Sequence, residues 1–371
     1  MKWPWAIALC VGTALGLLGC GKSRSPKPSA VVASAPIPKF DVHTHIAPDG
    51  MARAISVLVP NGVVGAVNLS GGDGPEMLAH QLREAANAGQ GRVLVFANLD
   101  FRDALAPGWV EGQVAWLHQA KQMGAHGLKI FKTLGLWVHD SAGKRIAVDD
   151  PRLDPIFEAA GELGLPVAIH VGDPKAFFEP VTPSNVRYQE LSLNPGWSFA
   201  DRTKYPPWET LFQEFQNLVA RHPKTTFIGV HFGNDPEEPA RVAALMDRFP
   251  NLIVDTAARV GEIGRMPPEA LRKIFVDHRT RILFGTDIGV GANDLTLGCP
   301  ETYPETAETT ARFFAAHWAF FETDRRGLAH PSPIQGNWTV DFIDLPRDVL
   351  EDFYHRNAER LFGLAPLAQR P

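Results

Sequence analysis

Eight short apolar segments rich in Val, Ile, Leu and Phe recur along the chain, at about 39–45, 63–70, 92–99, 126–132, 166–171, 225–231, 251–257 and 281–287. Segments this short and this apolar are typical of strands buried on both faces of a parallel sheet. Between them, apolar residues at helical spacing predict helices from Pro75 to near Gly89, over 109–123, from Asp154, and over 207–221, 237–248, 268–277 and 346–362. We therefore predict that strands and helices alternate.

Strands that alternate with helices imply right-handed crossovers and a parallel sheet. Eight such units favour an α/β fold of the (β/α)8 TIM barrel type. An open, doubly wound sheet is the alternative, but it would need a glycine-rich phosphate loop after the first strand. That position holds His43-Thr44-His45 instead.

Two connections are too long for simple loops: residues 173–206 after the fifth strand and residues 288–345 after the eighth. The second connection contains a predicted helix near 305–321. In a barrel, both connections leave the carboxyl ends of strands, where active sites lie. We expect them to form walls or a lid of a substrate pocket, with oligomer contacts or decoration as the alternative.

Composition limits the classes of partner. The chain has 371 residues, of which 45% are hydrophobic, so it can bury a large core. Its 36 Lys and Arg nearly balance 41 Asp and Glu, and no basic run is present. These features argue against a nucleic-acid partner.

The first residues have the features of a targeting segment. Met1-Lys2 is followed by an apolar stretch to Leu18, and Leu17-Leu18-Gly19-Cys20 resembles a bacterial lipobox. We expect residues 1–19 to be a lipoprotein signal peptide, Cys20 to carry lipid, 20–38 to be a flexible tether and 39–371 to be the catalytic domain. An ordinary signal peptide or an uncleaved anchor is the alternative.

This targeting hypothesis sets the expected location. The protein would face the periplasmic side of the cell envelope and contact the membrane only through its lipid, and Gly21 favours the outer membrane. Cys10 would leave with the signal peptide, so Cys299 would be the only thiol left unmodified. No internal disulfide is then expected.

Several strands end on side chains that bind metals or transfer protons. Asp41, His43 and His45 lie in the first, while the fifth, sixth and eighth end at His170, His231 and Asp287. Side chains two residues apart share one face of a strand, so His43 and His45 can hold the same ion. Imidazoles and carboxylates suit Zn²⁺ and related divalent metals.

The ordered set Asp-x-His-x-His, His, His and Asp resembles the metal-dependent amidohydrolase superfamily. Gly127-Leu-Lys-Ile130 and Gly285-Thr-Asp287 are similar to motifs of its amidohydrolase-related branch, which includes hydrolases, lactonases, hydratases and nonoxidative decarboxylases. The resemblance covers roughly residues 39–363.

The resemblance implies a role for each of these residues. His43, His45 and His170 would be metal ligands, and Asp287 would bind the metal weakly or take a proton from its water. His231 would be either a ligand of a second metal or an acid–base group that polarises the substrate, and we favour the second role. Asp41 would orient a ligand imidazole.

Basic residues near the strand ends add further candidates. Lys129, at the end of the fourth strand, would be a carbamate bridging two metals or a cation that binds a substrate carboxylate. Lys132 lies three residues further on, so it faces the other side of the strand. Arg259 and Arg187 are candidates to bind a substrate carboxylate, with salt bridges as the alternative.

These expectations combine into a functional hypothesis. The protein would be a metal-dependent hydrolase with one divalent ion, most simply Zn²⁺, although two remain open. A water activated by the metal would attack the carbonyl of a small amide, ester or lactone. Nonoxidative decarboxylation of an aromatic or unsaturated acid, metal-independent lactone hydrolysis and a catalytically silent binding lipoprotein are the alternatives. A homo-oligomer also stays open.

Overall fold

The computed structural model of the protein describes residues 36–298 and 305–367. The predicted signal peptide, the lipidation site Cys20, nearly all of the tether and Cys299 lie outside these residues. Within them, no helix combines the length and the apolar character needed to cross a membrane.

Among the described residues, ten strands form one curled, mostly parallel sheet. They are β1 Lys39–Ile46, β2 Val63–Asn68, β3 Val93–Asn98, β4 Gly127–Ile130, β5 Val167–Ile169, β6 Phe227–Gly229, β7 Leu252–Asp255, β8 Ile282–Leu283, β9 Ile288–Val290 and β10 Leu295–Leu297. Their order across the sheet is β10-β9-β1-β2-β3-β4-β5-β6-β7-β8. Neighbouring strands from β1 to β8 pair in parallel, β9 pairs in parallel with β1, and β10 pairs antiparallel with β9.

Only the first part of the segment predicted as the eighth strand, 281–287, forms a strand. This part, β8, pairs with β7, and the chain after the segment pairs as β9 with β1. Between them, the Val42 N–H donates to the Phe284 carbonyl over 2.9 Å, and the Asp287 N–H donates to the His43 carbonyl over 2.8 Å. The segment therefore contacts β7 at one end and β1 at the other, as a TIM-barrel-like fold requires.

Helices alternate with the strands, as the sequence predicts. The longer ones are Met51–Leu58, Pro75–Ala86, Trp109–Met123, Asp154–Glu162, Tyr188–Leu193, Trp208–Arg221, Pro239–Arg248, Pro268–Asp277, Ala307–Glu322, Arg347–Glu351 and Asn357–Phe362. Many begin with proline in the first turn, which is favourable there because the missing N–H would have no helical partner. Their apolar faces pack on the sheet in one large core, and the last helix covers a smaller apolar cluster that includes Phe40 and Phe96.

The two long connections have structure of their own. Residues 173–206 contain the helix Tyr188–Leu193, and residues 288–345 contain β9, β10, the helix Ala307–Glu322 and a small hairpin of β11 Leu328–Ala329 and β12 Thr339–Val340. The helix predicted near 305–321 is thus confirmed. The strands β9 and β10 were not predicted.

Candidate active site and metal centre

His43, His45 and Asp287 meet where β1 adjoins the segment between β8 and β9. Oδ1 of Asp287 lies 3.3 Å from Nε2 of His43 and 3.3 Å from Nε2 of His45. The hydrogen bond from the Asp287 N–H to the His43 carbonyl fixes this approach. Asp287 has a positive φ of 66°, a conformation that Asp tolerates better than most residues.

Hydrogen bonds at the other ring nitrogens determine which atoms face Asp287. Nδ1 of His43 lies 2.8 Å from Oδ2 of Asp255, and a carboxylate can only accept, so Nδ1 carries the proton. Nε2 of His43 is buried and has no hydrogen-bond partner. Nδ1 of His45 lies 2.7 Å from the Ser70 hydroxyl, which leaves its Nε2 directed at Asp287 as well.

The charges in this cluster favour a cation. Burial lowers the pKa of His43, but the carboxylates of Asp255 and Asp287 outweigh it and raise that pKa overall. Burial raises the pKa of Asp287, but His43 and His45 hold it well below its usual range. Asp287 is therefore ionised at neutral pH, and its charge is directed at Nε2 of His43 and of His45.

Two sets of three ligand atoms within 4.8 Å of one another occur among residues 36–298 and 305–367. One set is His43, His45 and Asp287, and the other is His43, His231 and Asp255. Imidazole nitrogen and carboxylate oxygen are ordinary ligands of divalent metals. The unpartnered Nε2 of His43 belongs to the first set, so those residues fit a divalent ion.

His231 lies on an unusual turn after β6. Residues 231–234 all have positive φ, from 54° to 67°, although three of them are not glycine. Such backbone is strained, and it persists only where surrounding contacts enforce it. Here Oδ1 of Asp255 accepts from the His231 N–H over 2.8 Å.

The ring of His231 has a defined tautomer. Its Nδ1 donates to the Ala257 carbonyl over 2.9 Å, so Nε2 carries a lone pair. Burial, with the nearby charge of Arg259, lowers the pKa of His231 well below its usual value. The ring centroid lies 4.8 Å from that of His43 and 4.4 Å from that of His170. The ring is therefore neutral and part of the same cluster.

His170 lies beside the cluster but belongs to neither set of three. Its Nε2 donates to the Gly172 carbonyl over 3.1 Å and lies 3.6 Å from Oδ1 of Asp173. Burial lowers the pKa of His170 to about 4. Nε2 holds a proton in this arrangement, so only Nδ1 could bind a metal, and the role of His170 as a third ligand stays a prediction.

Asp41 contacts backbone rather than an imidazole. It accepts from the N–H groups of His43 and Thr286 over 3.0 and 3.1 Å, and from the Thr286 hydroxyl over 2.5 Å. Burial raises its pKa to about 7. The carboxylate that contacts the His43 ring is Asp255, which the sequence analysis missed. Asp255 ends the apolar run Leu252–Asp255, so the pattern that singled out Asp287 also fits it.

Lys129 on β4 is directed into the same region. Its side chain is 1% exposed, and Nζ has no hydrogen-bond partner, lying 5.5 Å from the Phe131 ring centroid. Burial lowers its pKa to about 8, although Asp255 and Asp287 act to raise it. Lys132, in contrast, forms an ion pair with Asp173. The Lys129 amine is therefore available to bind a ligand in this site.

The two arginine candidates differ. Arg259 is buried near His231, where Nη1 donates to the Ala258 carbonyl over 2.9 Å and Nη2 lies 4.0 Å from Oδ1 of Asp173. Arg187 is also buried, but its guanidinium forms ion pairs with Glu190 and Glu262. Arg259 is therefore placed to contact a ligand near His231, whereas Arg187 is engaged by two carboxylates.

A cavity of about 670 Å³ adjoins the cluster at His45. Ser70, Asn98 and Phe131 line one part of it, and residues 289–294 line another. This volume is in the range of small-molecule sites. The segment joining β9 to β10 thus forms part of its wall, in agreement with the expected role of the long second connection.

The protein thus has an α/β fold of the TIM-barrel-like type, with imidazoles and carboxylates clustered at strand ends where they could hold a divalent metal. The family described as Amidohydrolase matches residues 40–364, and the chain belongs to this family. It is an enzyme of the amidohydrolase superfamily. No curated protein matches it.

Three enzymes are among the solved structures to which this chain is similar. 2,6-Dihydroxybenzoate decarboxylase is 15% identical, with a TM-score of 0.48 over 88% of this chain and 99% of that one. 5-Carboxyvanillate decarboxylase from Sphingomonas paucimobilis is 14% identical, with a TM-score of 0.48 over 89% and 100%. 4-Oxalomesaconate hydratase from Rhodopseudomonas palustris is 15% identical, with a TM-score of 0.44 over 88% and 95%. Identity this low does not indicate the reaction.

Proposed function

We propose that this protein is a metal-dependent hydrolase that cleaves a small amide, ester or lactone. The observation that carries the proposal is the convergence of His43 Nε2 and His45 Nε2 on Oδ1 of Asp287, each over 3.3 Å. Two imidazoles and one carboxylate are a ligand set used by hydrolytic zinc sites, which keep a position open for water or substrate.

His43, His45 and Asp287 would hold one divalent ion, and Zn²⁺ suits them best. Such an ion supplies a water of lowered pKa and polarises a carbonyl oxygen. Asp255 and Ser70 contact the Nδ1 atoms of the two imidazoles and so orient the rings toward the ion.

The remaining proton transfers fall to side chains around this centre. Asp287 is ionised and its side chain is 20% exposed, so it can take a proton from the attacking water and return it to the leaving group. His231 presents a lone pair at Nε2 and can accept a proton, but this tautomer cannot donate to a substrate carbonyl. Lys129 has free N–H donors and is better suited to stabilise negative charge on the substrate.

Nonoxidative decarboxylation is the second candidate reaction. The buried cations Lys129 and Arg259 favour it, because both lie near the cluster and can bind a substrate carboxylate. The same residues would serve a hydrolase whose substrate carries a carboxylate. Metal-independent lactone hydrolysis would place a proton on His43 instead of a metal beside Asp287, and no further contact in the site favours it.

Product analysis separates these reactions. The purified full chain would be incubated with Zn²⁺ and panels of esters, lactones, amides and aromatic acids in ¹⁸O-water, beside the Asp287→Asn variant. Hydrolysis incorporates ¹⁸O into the released acid, and decarboxylation releases CO₂ from an aromatic acid. We expect ¹⁸O incorporation that requires Asp287. Release of CO₂ without hydrolysis of any panel member would replace the proposal with the second candidate.

The lipid anchor is a separate part of the proposal. The lipobox-like sequence that ends at Cys20 supports attachment of the chain to the periplasmic side of the cell envelope. When a bacterium that expresses the full chain is fed labelled palmitate, the wild type should incorporate the label and Cys20→Ala should not. Equal labelling of the two proteins would exclude a lipid on Cys20.

A further inference from the structure

Asp255 joins two parts of the candidate site through a single carboxylate. Its Oδ2 accepts from Nδ1–H of His43 over 2.8 Å. Its Oδ1 accepts from the N–H of His231 over 2.8 Å and from the N–H of Ala257 over 3.1 Å. The side chain is 1% exposed, so these three bonds replace its hydration.

We propose that Asp255 is a positioning residue that fixes the tautomer of His43 and holds the strained turn at His231, and that it is not a metal ligand. The site then takes one divalent ion rather than two. This inference rests on the proposed metal-dependent function and states how the protein arranges the ligand His43 for it.

The geometry argues against a second ion at His43, His231 and Asp255, even though their ligand atoms lie within 4.8 Å of one another. Nδ1 of His43 is protonated toward Asp255, so Nε2 is the only ligand atom of that ring, and it faces Asp287. Nδ1 of His231 is protonated toward Ala257. A second ion would have to displace hydrogen bonds that buried carboxylate oxygens already accept.

Only a carboxylate can accept all three bonds. In Asp255→Asn, one orientation places the amide oxygen against the two backbone N–H groups and the NH₂ against His43 Nδ1. His43 must then accept on Nδ1 and carry its proton on Nε2, where the metal should bind. The other orientation places the NH₂ against the N–H groups of His231 and Ala257, which leaves the turn without its acceptor.

The first test is metal affinity. Zn²⁺ affinity of the full chain, measured by competition with a chelator, should fall about 10- to 100-fold in Asp255→Asn, as for other groups that orient metal-bound histidines. Asp154→Asn is the matched control, because Asp154 Oδ1 contacts Nε2 of His222 over 3.1 Å at the amino-terminal side of β5 and β6. It should keep wild-type affinity.

The second test does not require metal or a folded variant. Nitrogen-15 NMR of the metal-free wild-type chain should show an exchange-protected proton on Nδ1 of His43, bonded to Asp255. If Asp255→Asn folds, that signal should shift or disappear, while the His222 signals stay unchanged. A wild-type His43 without a proton on Nδ1 overturns the proposal.

These measurements separate this inference from the proposed function. A wild-type chain that binds no metal but shows the Nδ1 proton would refute the metal-dependent hydrolase and leave the positioning role standing. Unchanged Zn²⁺ affinity in Asp255→Asn, or about two equivalents of metal per wild-type chain of which Asp255→Asn loses one, would refute the positioning role while keeping a metal enzyme.

Discussion

Nε2 of His43 and Oδ1 of Asp287 lie 3.3 Å apart, and Nε2 has no hydrogen-bond partner. Two groups that present lone pairs to each other at this distance, inside a protein, require a cation between or beside them. In the metal-free protein, a proton on His43 can be this cation, which agrees with the raised pKa of that ring. In the enzyme, we expect a divalent metal to take its place.

Metal binding should therefore depend on pH. After the opposing effect of burial, Asp255 and Asp287 raise the pKa of His43, so protons compete with the metal above the usual range for histidine. Zn²⁺ affinity should increase with pH through the neutral range, and binding should release protons. Calorimetry in two buffers of different ionisation enthalpy measures that release, and affinity independent of pH would contradict this account of His43.

Asp287→Asn should preserve the fold and suppress turnover. Asn tolerates the positive φ of 66° at this position, so the backbone should not change. The variant cannot take a proton from water, and we expect kcat to fall by about 10²-fold or more with the best substrate of the panel. Steady-state kinetics and the thermal midpoint of both proteins test this. Full activity of the variant would remove Asp287 from the mechanism.

Lys129→Met should stabilise the metal-free protein at pH 7. Burial lowers the pKa of Lys129 to about 8, below the usual value near 10.4 in an unfolded chain. Between about pH 8 and about pH 10.4 the unfolded wild-type chain binds more protons at Lys129 than the folded chain does. The stability of the wild type therefore rises with pH in this range, and the stability difference between the variant and the wild type decreases. At pH 7 the gain should be about 3 kcal/mol.

Urea unfolding at several pH values measures that difference, with the exposed Lys144→Met as control. A variant that is less stable than wild type at every pH would contradict the prediction. It would favour instead a Lys129 that carries a carbamate or is held by Asp255 and Asp287, and native mass spectrometry would detect the added CO₂.

Arg187→Met should destabilise the protein more than it affects substrate binding. The change leaves the buried carboxylates of Glu190 and Glu262 without their shared partner, which costs about 3–5 kcal/mol for a broken buried pair. The exposed Lys273→Met, which removes a surface ion pair with Asp277, should change stability little. If Arg187→Met has normal stability but a raised KM, Arg187 binds substrate, as the sequence analysis considered.

The sequence predicted the strands well because burial on both sides gives a continuous apolar run. Each of the strands β1 to β7 lies within or overlaps a predicted segment. The eighth segment was only partly correct. Its chain turns at Gly285–Asp287. The positive φ of Asp287, which the turn requires, cannot be predicted from a run of apolar residues.

The sequence predicted the site residues that lie at strand ends. It did not predict those whose position or protonation depends on an unusual backbone conformation. His43 and His45 share one face as their spacing implies, and Asp287 approaches both as the barrel prediction requires. The turn at His231 is enforced by contacts distant in sequence, including the bond to Asp255, so local propensity does not indicate it. The proton on Nε2 of His170 is directed at the carbonyl of Gly172, two residues further on, and so depends on the backbone conformation that follows β5.

Metal content tests the central claim most directly. The full chain would be purified without chelator, offered Zn²⁺, desalted and assayed by elemental analysis beside His43→Ala and His80→Ala, the latter an exposed control. We predict about one equivalent of metal per chain in the wild type and in His80→Ala, and its loss in His43→Ala. A wild-type chain that retains no metal, or a His43→Ala variant that retains all of it, would contradict the account.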